Sequence, residues 1–142
     1  MTHLTKRILS LILLISCFTA LSSQEITLKD FARSVQNADV VFYFDNDYEK
    51  AASLYEPILK AFPDNSNIQA KLGMCYLKMD GKKAEALKLL ESASENVAAN
   101  KKEYTETGQK APVDTYRYLA EAYHLNNNLE KALSIFNDLK NK

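Results

Sequence analysis

The sequence predicts an all-α fold of stacked helical hairpins, and three observations support this class. Apolar residues recur at helical spacing, for example in Tyr116, Leu119, Ala120 and Tyr123. Only three glycines occur in 142 residues. No stretch alternates between apolar and polar residues in the way that a β-strand requires. The architecture that follows is a solenoid of about three helical hairpins.

Residues 1–23 are predicted to form a secretory signal peptide. Lys6 and Arg7 precede an apolar run, and Ser22 and Ser23 provide a small-residue exit. A membrane-spanning helix is the alternative, but spanning takes about 20 apolar residues and this run is shorter and interrupted by polar residues. The sequence therefore predicts export, most simply into a bacterial periplasm or to the outer membrane.

The leader also contains a second possible cleavage site. Residues 14–17 read Leu-Ile-Ser-Cys, which resembles the bacterial lipobox, in which the cysteine becomes the lipidated first residue of the mature protein. The apolar run continues beyond Cys17, which favours ordinary cleavage near Ser23 and Gln24. Cys17 remains the alternative candidate for lipidation, and a lipid anchor would then be the only contact with a membrane.

The composition of residues 24–142 suits one domain and excludes some functions. Removal of the leader takes away Lys6 and Arg7 and no acidic residue, which leaves a net charge of −2. A nucleic-acid-binding surface would show clustered basic residues and a high isoelectric point. Cleavage also leaves Cys75 as the only cysteine, so no disulfide could form within the chain.

The first hairpin is predicted over about residues 28–65. The Thr27 side chain is expected to accept a backbone N–H three residues on, with Asp30 in the reciprocal position. A second helix is predicted over residues 48–62, with a kink and not a break at Pro57.

Two further hairpins are predicted over about residues 66–97 and 112–142. Ser66 or Asn67 is expected to cap the first helix of the middle hairpin, and Pro112 suits the start of the last one. Between them, residues 98–111 lose the apolar pattern and are interpreted as an insertion loop. This loop is either a solvated or fraying segment, or a rim where Lys101, Lys102, Tyr104 and Lys110 meet a partner.

Superposition of the hairpins in sequence reveals a repeated signature. The repeated residues are Leu72, Gly73, Tyr76, Ala86 and Leu90 in the middle repeat, Tyr116, Leu119, Ala120, Tyr123, Ala132 and Phe136 in the last, and Ala51, Tyr55 and Pro63 in the first. With these residues the chain resembles the tetratricopeptide repeat family, whose repeats of about 34 residues place Leu-Gly/Ala, Tyr, Ala and a bulky residue at fixed intervals.

The resemblance implies a concave groove formed by the first helix of each repeat, which would hold a peptide or a helix of a protein partner. The residues that match this groove are Gln36, Val40, Tyr43, Ala70, Met74, Lys78, Asp114, Arg117, Glu121 and His124. The family members that clamp a chaperone carboxylate use Lys and Asn at set positions. Here Gln36, Val40, Lys71, Asp114 and Tyr118 stand there, so we do not expect that function.

A narrower resemblance concerns location. The leader together with the repeat sequences is similar to the N-terminal region of exported Bacteroidetes proteins that continue into a β-propeller and an OmpA-like domain. It implies an adaptor or scaffold in the cell envelope, as a truncated member of that larger family. The alternative is a self-associating subunit or lipoprotein, with an oligomer interface on the uncovered last hairpin at Phe136 and Leu139.

Catalytic chemistry is not expected from this sequence. No phosphate-binding glycine loop, paired cysteines or HExxH motif occurs, and no cofactor or metal site is predicted. Cys75 is interpreted as a packing residue, and His124 as a solvated residue of the groove. We therefore expect a binding protein and not an enzyme.

Overall fold

The computed structural model describes residues 26–140, and this part of the chain is built from α-helices. Their bounds are α1 Leu28–Val40, α2 Tyr48–Ala61, α3 Ser66–Lys78, α4 Lys83–Ser94, α5 Thr115–Leu125 and α6 Leu129–Lys140. Within residues 26–140 no strand forms, and one isolated parallel bridge joins Val97 to Ala111. The predicted all-α class is confirmed. The predicted signal peptide and Cys17 lie outside the described residues.

The helices pack in chain order as three hairpins. Each first helix contacts the second helix of its own pair, and α2 and α4 also contact the first helix of the next pair. Additional contacts join α3 to α5, the first helices of the last two hairpins. This arrangement is the helical-repeat solenoid predicted from the sequence.

At the starts of two helices, a side chain accepts a hydrogen bond from a backbone N–H group that has no acceptor within the helix. Asp47 accepts a hydrogen bond from the Lys50 N–H at 3.0 Å, and Asn65 accepts one from the Ile68 N–H at 3.1 Å. The prediction that Ser66 or Asn67 caps α3 is therefore wrong by one or two residues. Asn67 lies inside the first turn, and its amide is used elsewhere.

The predicted cap of α1 is also wrong. The Thr27 hydroxyl donates to the Asp30 carboxylate at 2.7 Å and caps no backbone N–H. The backbone carbonyl of Thr27 accepts from Asp30 and Phe31 instead. At its other end α1 continues into a π-helical turn, Val41–Asp45, which Asn46 closes in the left-handed conformation (φ 54°).

Pro57 does not interrupt α2, as expected. The helix runs without a break from Tyr48 to Ala61, and Tyr55 and Ile58 on either side of the proline are fully buried. The apolar contacts on both sides hold the helix together despite the missing N–H of Pro57.

Two main apolar clusters hold the stack together. The first lies between α1, α2 and α3 around Val35, Tyr55, Ile58 and Ile68. The second joins the end of α3 to α4, α5 and α6 through residues such as Leu77, Leu90, Leu119, Tyr123 and Ala132. Each cluster spans more than one hairpin, so contacts between repeats form part of the core, as is typical of helical-repeat proteins.

Gly73 explains the close approach of α3 and α4. A Cβ atom at this position would lie 2.8 Å from the Cγ of Leu90. The glycine of the family signature therefore makes room for the large side chain of the facing helix.

Candidate protein-binding groove

The insertion between α4 and α5 folds back against the first helices of the stack. Its two ends are held side by side, because the Ala98 N–H donates to the Ala111 carbonyl and the Ala111 N–H to the Asn96 carbonyl, both at 2.9 Å. The described loop contains no helix, so it is not a helical extension of α4. This loop occupies part of the face that the sequence assigned to the groove.

Asn67 on α3 anchors the middle of the loop. Its side chain is fully buried, and its amide nitrogen donates to the carbonyls of Glu106 at 2.8 Å and Gly108 at 3.2 Å. Its backbone N–H donates to the Gln109 carbonyl at 3.1 Å. Carbonyl groups of the loop thus satisfy donors in the first turn of α3, which would otherwise have no partner.

Lys71, one turn further along α3, is a second anchor. Only 2% of its side chain is exposed, and its Nζ lies 2.8 and 2.7 Å from the two carboxylate oxygens of Asp39 on α1. The same Nζ donates to the Glu106 carboxylate at 3.1 Å and to the Glu106 carbonyl at 3.2 Å. A buried ammonium group needs such partners, because its desolvation is costly. Lys71 therefore joins α1, α3 and the loop.

Two tyrosines complete this polar cluster. The Tyr55 hydroxyl on α2 donates to Asp39, and the Tyr104 hydroxyl in the loop lies 3.0 Å from the Glu106 carboxylate and 3.3 Å from the Asn67 side-chain oxygen. Burial, followed by the neighbouring carboxylates, raises the pKa of both phenols above its usual value. The loop is thus attached to α3 through Asn67 and Lys71, while most of its residues are exposed to solvent, as the interpretation as a solvated loop expects.

Burial of the groove differs from the expectation at two positions. Ala70 is 0% and Met74 is 3% exposed, because they pack with Ala93 and Ala111 and against Phe42 and Tyr118. The prediction that both side chains lie open in the groove is wrong. Met74 reaches only the floor of a cavity described below.

The other eight predicted groove residues are accessible. They are Gln36, Val40, Tyr43, Lys78, Asp114, Arg117, Glu121 and His124, of which Glu121 is half-buried and the rest are exposed. A salt bridge of 3.2 Å between Lys78 and Glu121 connects α3 to α5 across the repeats. That these residues bind a protein partner stays a prediction.

Five of these accessible residues line two depressions, whereas Gln36, Val40 and Lys78 line neither. One, of about 370 Å³, is lined by Arg117, Glu121, His124 and Phe136 of the last hairpin. The other, of about 350 Å³, lies between the loop and the first helices. Its lining consists of Tyr43, Met74, Lys101, Tyr104, Glu106, Pro112, Val113, Asp114 and Tyr118. Residues 101, 104 and 106 belong to the insertion, so the loop forms one wall of the groove.

Cys75 has the environment of a packing residue. It is fully buried, and burial raises the pKa of its thiol to about 12, which removes the thiolate that a nucleophile needs at neutral pH. Among the described residues, no group of three or more His, Cys, Asp or Glu side chains could hold a metal ion. The helices found within residues 26–140 also lack the combined length and apolar character that crossing a bilayer requires.

Sequence reasoning missed the polar cluster behind the groove. Asp39 lies where the family pattern usually has Leu-Gly. Lys71 was considered only as a position at which other family members clamp a chaperone carboxylate, a function that is not expected here. The one available signal was this pair of departures, because charged residues at positions that face inward need partners. Their link to Glu106 depends on the path of the loop, which has no sequence pattern.

The fold defines a class, the helical-repeat proteins built from stacked helical hairpins. The sequence profile of the tetratricopeptide repeat family matches residues 45–105, from the end of the π-helical turn into the insertion. The match supports a tetratricopeptide repeat family for this chain, a fold that is typically a non-catalytic module for binding proteins. No curated protein and no solved structure gives a significant match to the chain.

Proposed function

We propose that the protein is an exported adaptor that binds a protein partner in the cell envelope through its concave face and catalyses no reaction itself. The observation that carries this proposal is the composite groove. Tyr43, Met74 and Asp114, from the first, middle and last parts of the chain, line one cavity, and Lys78 of α3 forms a salt bridge with Glu121 of α5. Apolar and aromatic groups bordered by charges are typical of protein-binding surfaces.

Crosslinking of the protein in its host cells, followed by mass spectrometry, tests the adaptor proposal. The wild type is expected to yield one reproducible partner, with crosslinks on α1, α3 or α5. Val40→Asp places a charge at an exposed position of α1 that the sequence assigns to the groove, and it is expected to reduce the yield several-fold. Leu28→Asp is the matched control, because it replaces another exposed apolar residue of α1 with the same acid, at the first turn where acids are favourable. Equal yields from both variants, or no partner for the wild type, would refute the proposal.

The envelope location rests on the sequence of residues 1–23. Deletion of these residues is expected to retain the protein in the cytoplasm, whereas the full chain is recovered from the periplasm or outer membrane. Palmitate labelling that Cys17→Ser abolishes would assign lipidation, and loss of residues 1–23 from an unlabelled mature protein would assign ordinary cleavage. Recovery of the full-length chain from the cytoplasm would refute export.

The exposed face of α6 favours self-association as a second candidate function. Leu129, Leu133 and Phe136 recur at helical spacing and are all exposed, while Leu139 is half-buried. Light scattering over a range of concentrations tests this candidate. Dimers that Leu133→Glu abolishes would support it, and a monomer at all concentrations would exclude it.

A further inference from the structure

The cavity of about 350 Å³ beside the loop has the size and position of a side-chain pocket. Its volume is at the lower end of the range for ligand pockets, about 300–1,000 Å³. It lies on the groove side of the stack, and its walls come from the π-helical turn, α3, the insertion and the start of α5. A partner that runs along the groove would pass over its mouth.

The walls of this cavity are rich in aromatic groups. Tyr43, Tyr104 and Tyr118 line it together with Met74, Pro112 and Val113. The Tyr118 ring already interacts with a guanidinium group, since the Cζ atom of Arg117 lies 4.1 Å from its centroid. Faces of tyrosine rings attract cations through the ring quadrupole.

Carboxylates give the cavity its charge. Glu106 and Asp114 line it, and Lys101 is the only basic residue in its described lining. Glu106 is shared with Lys71, whereas no ion pair or hydrogen bond of the Asp114 side chain is found among residues 26–140. Burial is the main reason that the pKa of Tyr43 is raised to about 12, and the carboxylates of Glu106 and Asp39 raise it further.

We propose that this cavity receives a basic side chain, arginine or lysine, from the protein partner. The cation would lie against the tyrosine rings and pair with Asp114, while the apolar stem of the side chain would contact Met74 and Val113. The inference rests on the proposed adaptor function and names the chemistry by which the groove recognises its partner. A neutral or acidic side chain would satisfy neither the rings nor the carboxylates.

Titration with short peptides, followed by nuclear magnetic resonance of the protein amides, tests the pocket. The probes are acetylated and amidated Gly-Ser-Xaa-Ser-Gly peptides in which Xaa is arginine, lysine, citrulline or glutamate. The arginine and lysine peptides are expected to shift the amide signals of Tyr43, Val113 and Tyr118 in a saturable manner. Citrulline keeps the shape of arginine without its charge and is expected to bind at least about fivefold more weakly.

Two variants locate the binding. Asp114→Asn is expected to weaken the arginine peptide about threefold to fivefold, because it removes one exposed charge and leaves no unsatisfied partner. Asp138→Asn, the same change on the exposed side of α6, is expected to leave binding unchanged. Equal affinities for arginine and citrulline, tighter binding of glutamate, no binding of any peptide, or equal effects of the two variants would each overturn the proposal.

The peptide titration is independent of partner capture, so the two proposals can fail separately. If crosslinking identifies a partner but Asp114→Asn changes neither its yield nor peptide binding, the adaptor function stands and the pocket does not. If no partner is captured while the arginine peptide binds as expected, the adaptor function in the envelope fails and the pocket stands.

Discussion

Substitution of Lys71 by methionine tests whether the buried polar cluster holds the loop and the helices together. The change keeps an unbranched side chain of similar length and removes the ammonium group. Asp39 on α1, of which 14% is exposed, would then keep only the Tyr55 hydroxyl as a partner. Glu106, of which 61% is exposed, can be solvated by water instead.

The expected cost follows from these exposures. Removal of one partner from a buried ion pair costs about 3–5 kcal/mol, because the remaining charge is left desolvated. Since Tyr55 and partial exposure stabilise the remaining carboxylate, we expect the free energy of unfolding to fall by about 2–3 kcal/mol. This is a large share of the roughly 5–15 kcal/mol that stabilises a domain.

Denaturant unfolding measures this loss as a lower midpoint with an unchanged slope. Lys78→Met is the matched control: it is the same substitution on the same helix, in a salt bridge whose partners are 41% and 32% exposed. The control is expected to cost less than about 1 kcal/mol. In the double variant Asp39→Asn with Lys71→Met, the two losses should not add, since no buried charge remains. A cost of Lys71→Met no greater than that of Lys78→Met would refute the reasoning.

Three further predictions concern packing and ionisation. Gly73→Ala is expected to lower the thermal midpoint, because the new Cβ would lie 2.8 Å from the Leu90 Cγ. Such overpacking costs about 1–3 kcal/mol, which exceeds the gain in helix propensity from glycine to alanine, and an unchanged or higher midpoint would contradict this. The free energy of unfolding is expected to fall as the pH rises above about 10, since the raised pKa of buried Tyr55 favours the neutral phenol in the folded state. Denaturant midpoints measured across alkaline pH should fall less steeply with pH for Tyr55→Phe, and an identical pH dependence of the two proteins would contradict this role of Tyr55. In the Cys17→Ser protein, Cys75 is expected to react with a thiol reagent only at the rate of unfolding, since it is buried and the pKa of its thiol is raised to about 12; the rapid rate of an exposed thiol would refute this.

The helices were predictable because their signals are local. Each hairpin shows apolar spacing that matches contacts between helices that follow one another in the chain. The Leu-Gly pair at positions 72 and 73, for example, faces Leu90 on the next helix. Prolines and polar turns marked several ends within one or two residues, but α5 begins at Thr115, three residues after the start expected at Pro112. The cap of α3 was assigned wrongly, because Asn65, Ser66 and Asn67 are all good capping residues and sequence alone does not rank them.

The groove was only partly predictable, because its burial depends on the insertion. The loop connects α3 to α1 through Glu106, Lys71 and Asp39, and these contacts join residues more than thirty positions apart. No periodic pattern marks them. For this reason Ala70 and Met74 were expected in the open, and the cavity beside Tyr104 was not expected at all.

In the middle repeat, the side chains that hold the helices and the loop together are different from those that line the proposed binding surface. Asn67 and Lys71 already use their donors on the loop and on Asp39, so they have little left to offer a partner. Lys101 and Tyr104, which line the cavity in their place, stand on a segment that forms no helix of its own. If the groove binds a partner as proposed, substitution of an exposed loop residue such as Lys101 would alter the binding surface without a compensating change in the helical stack.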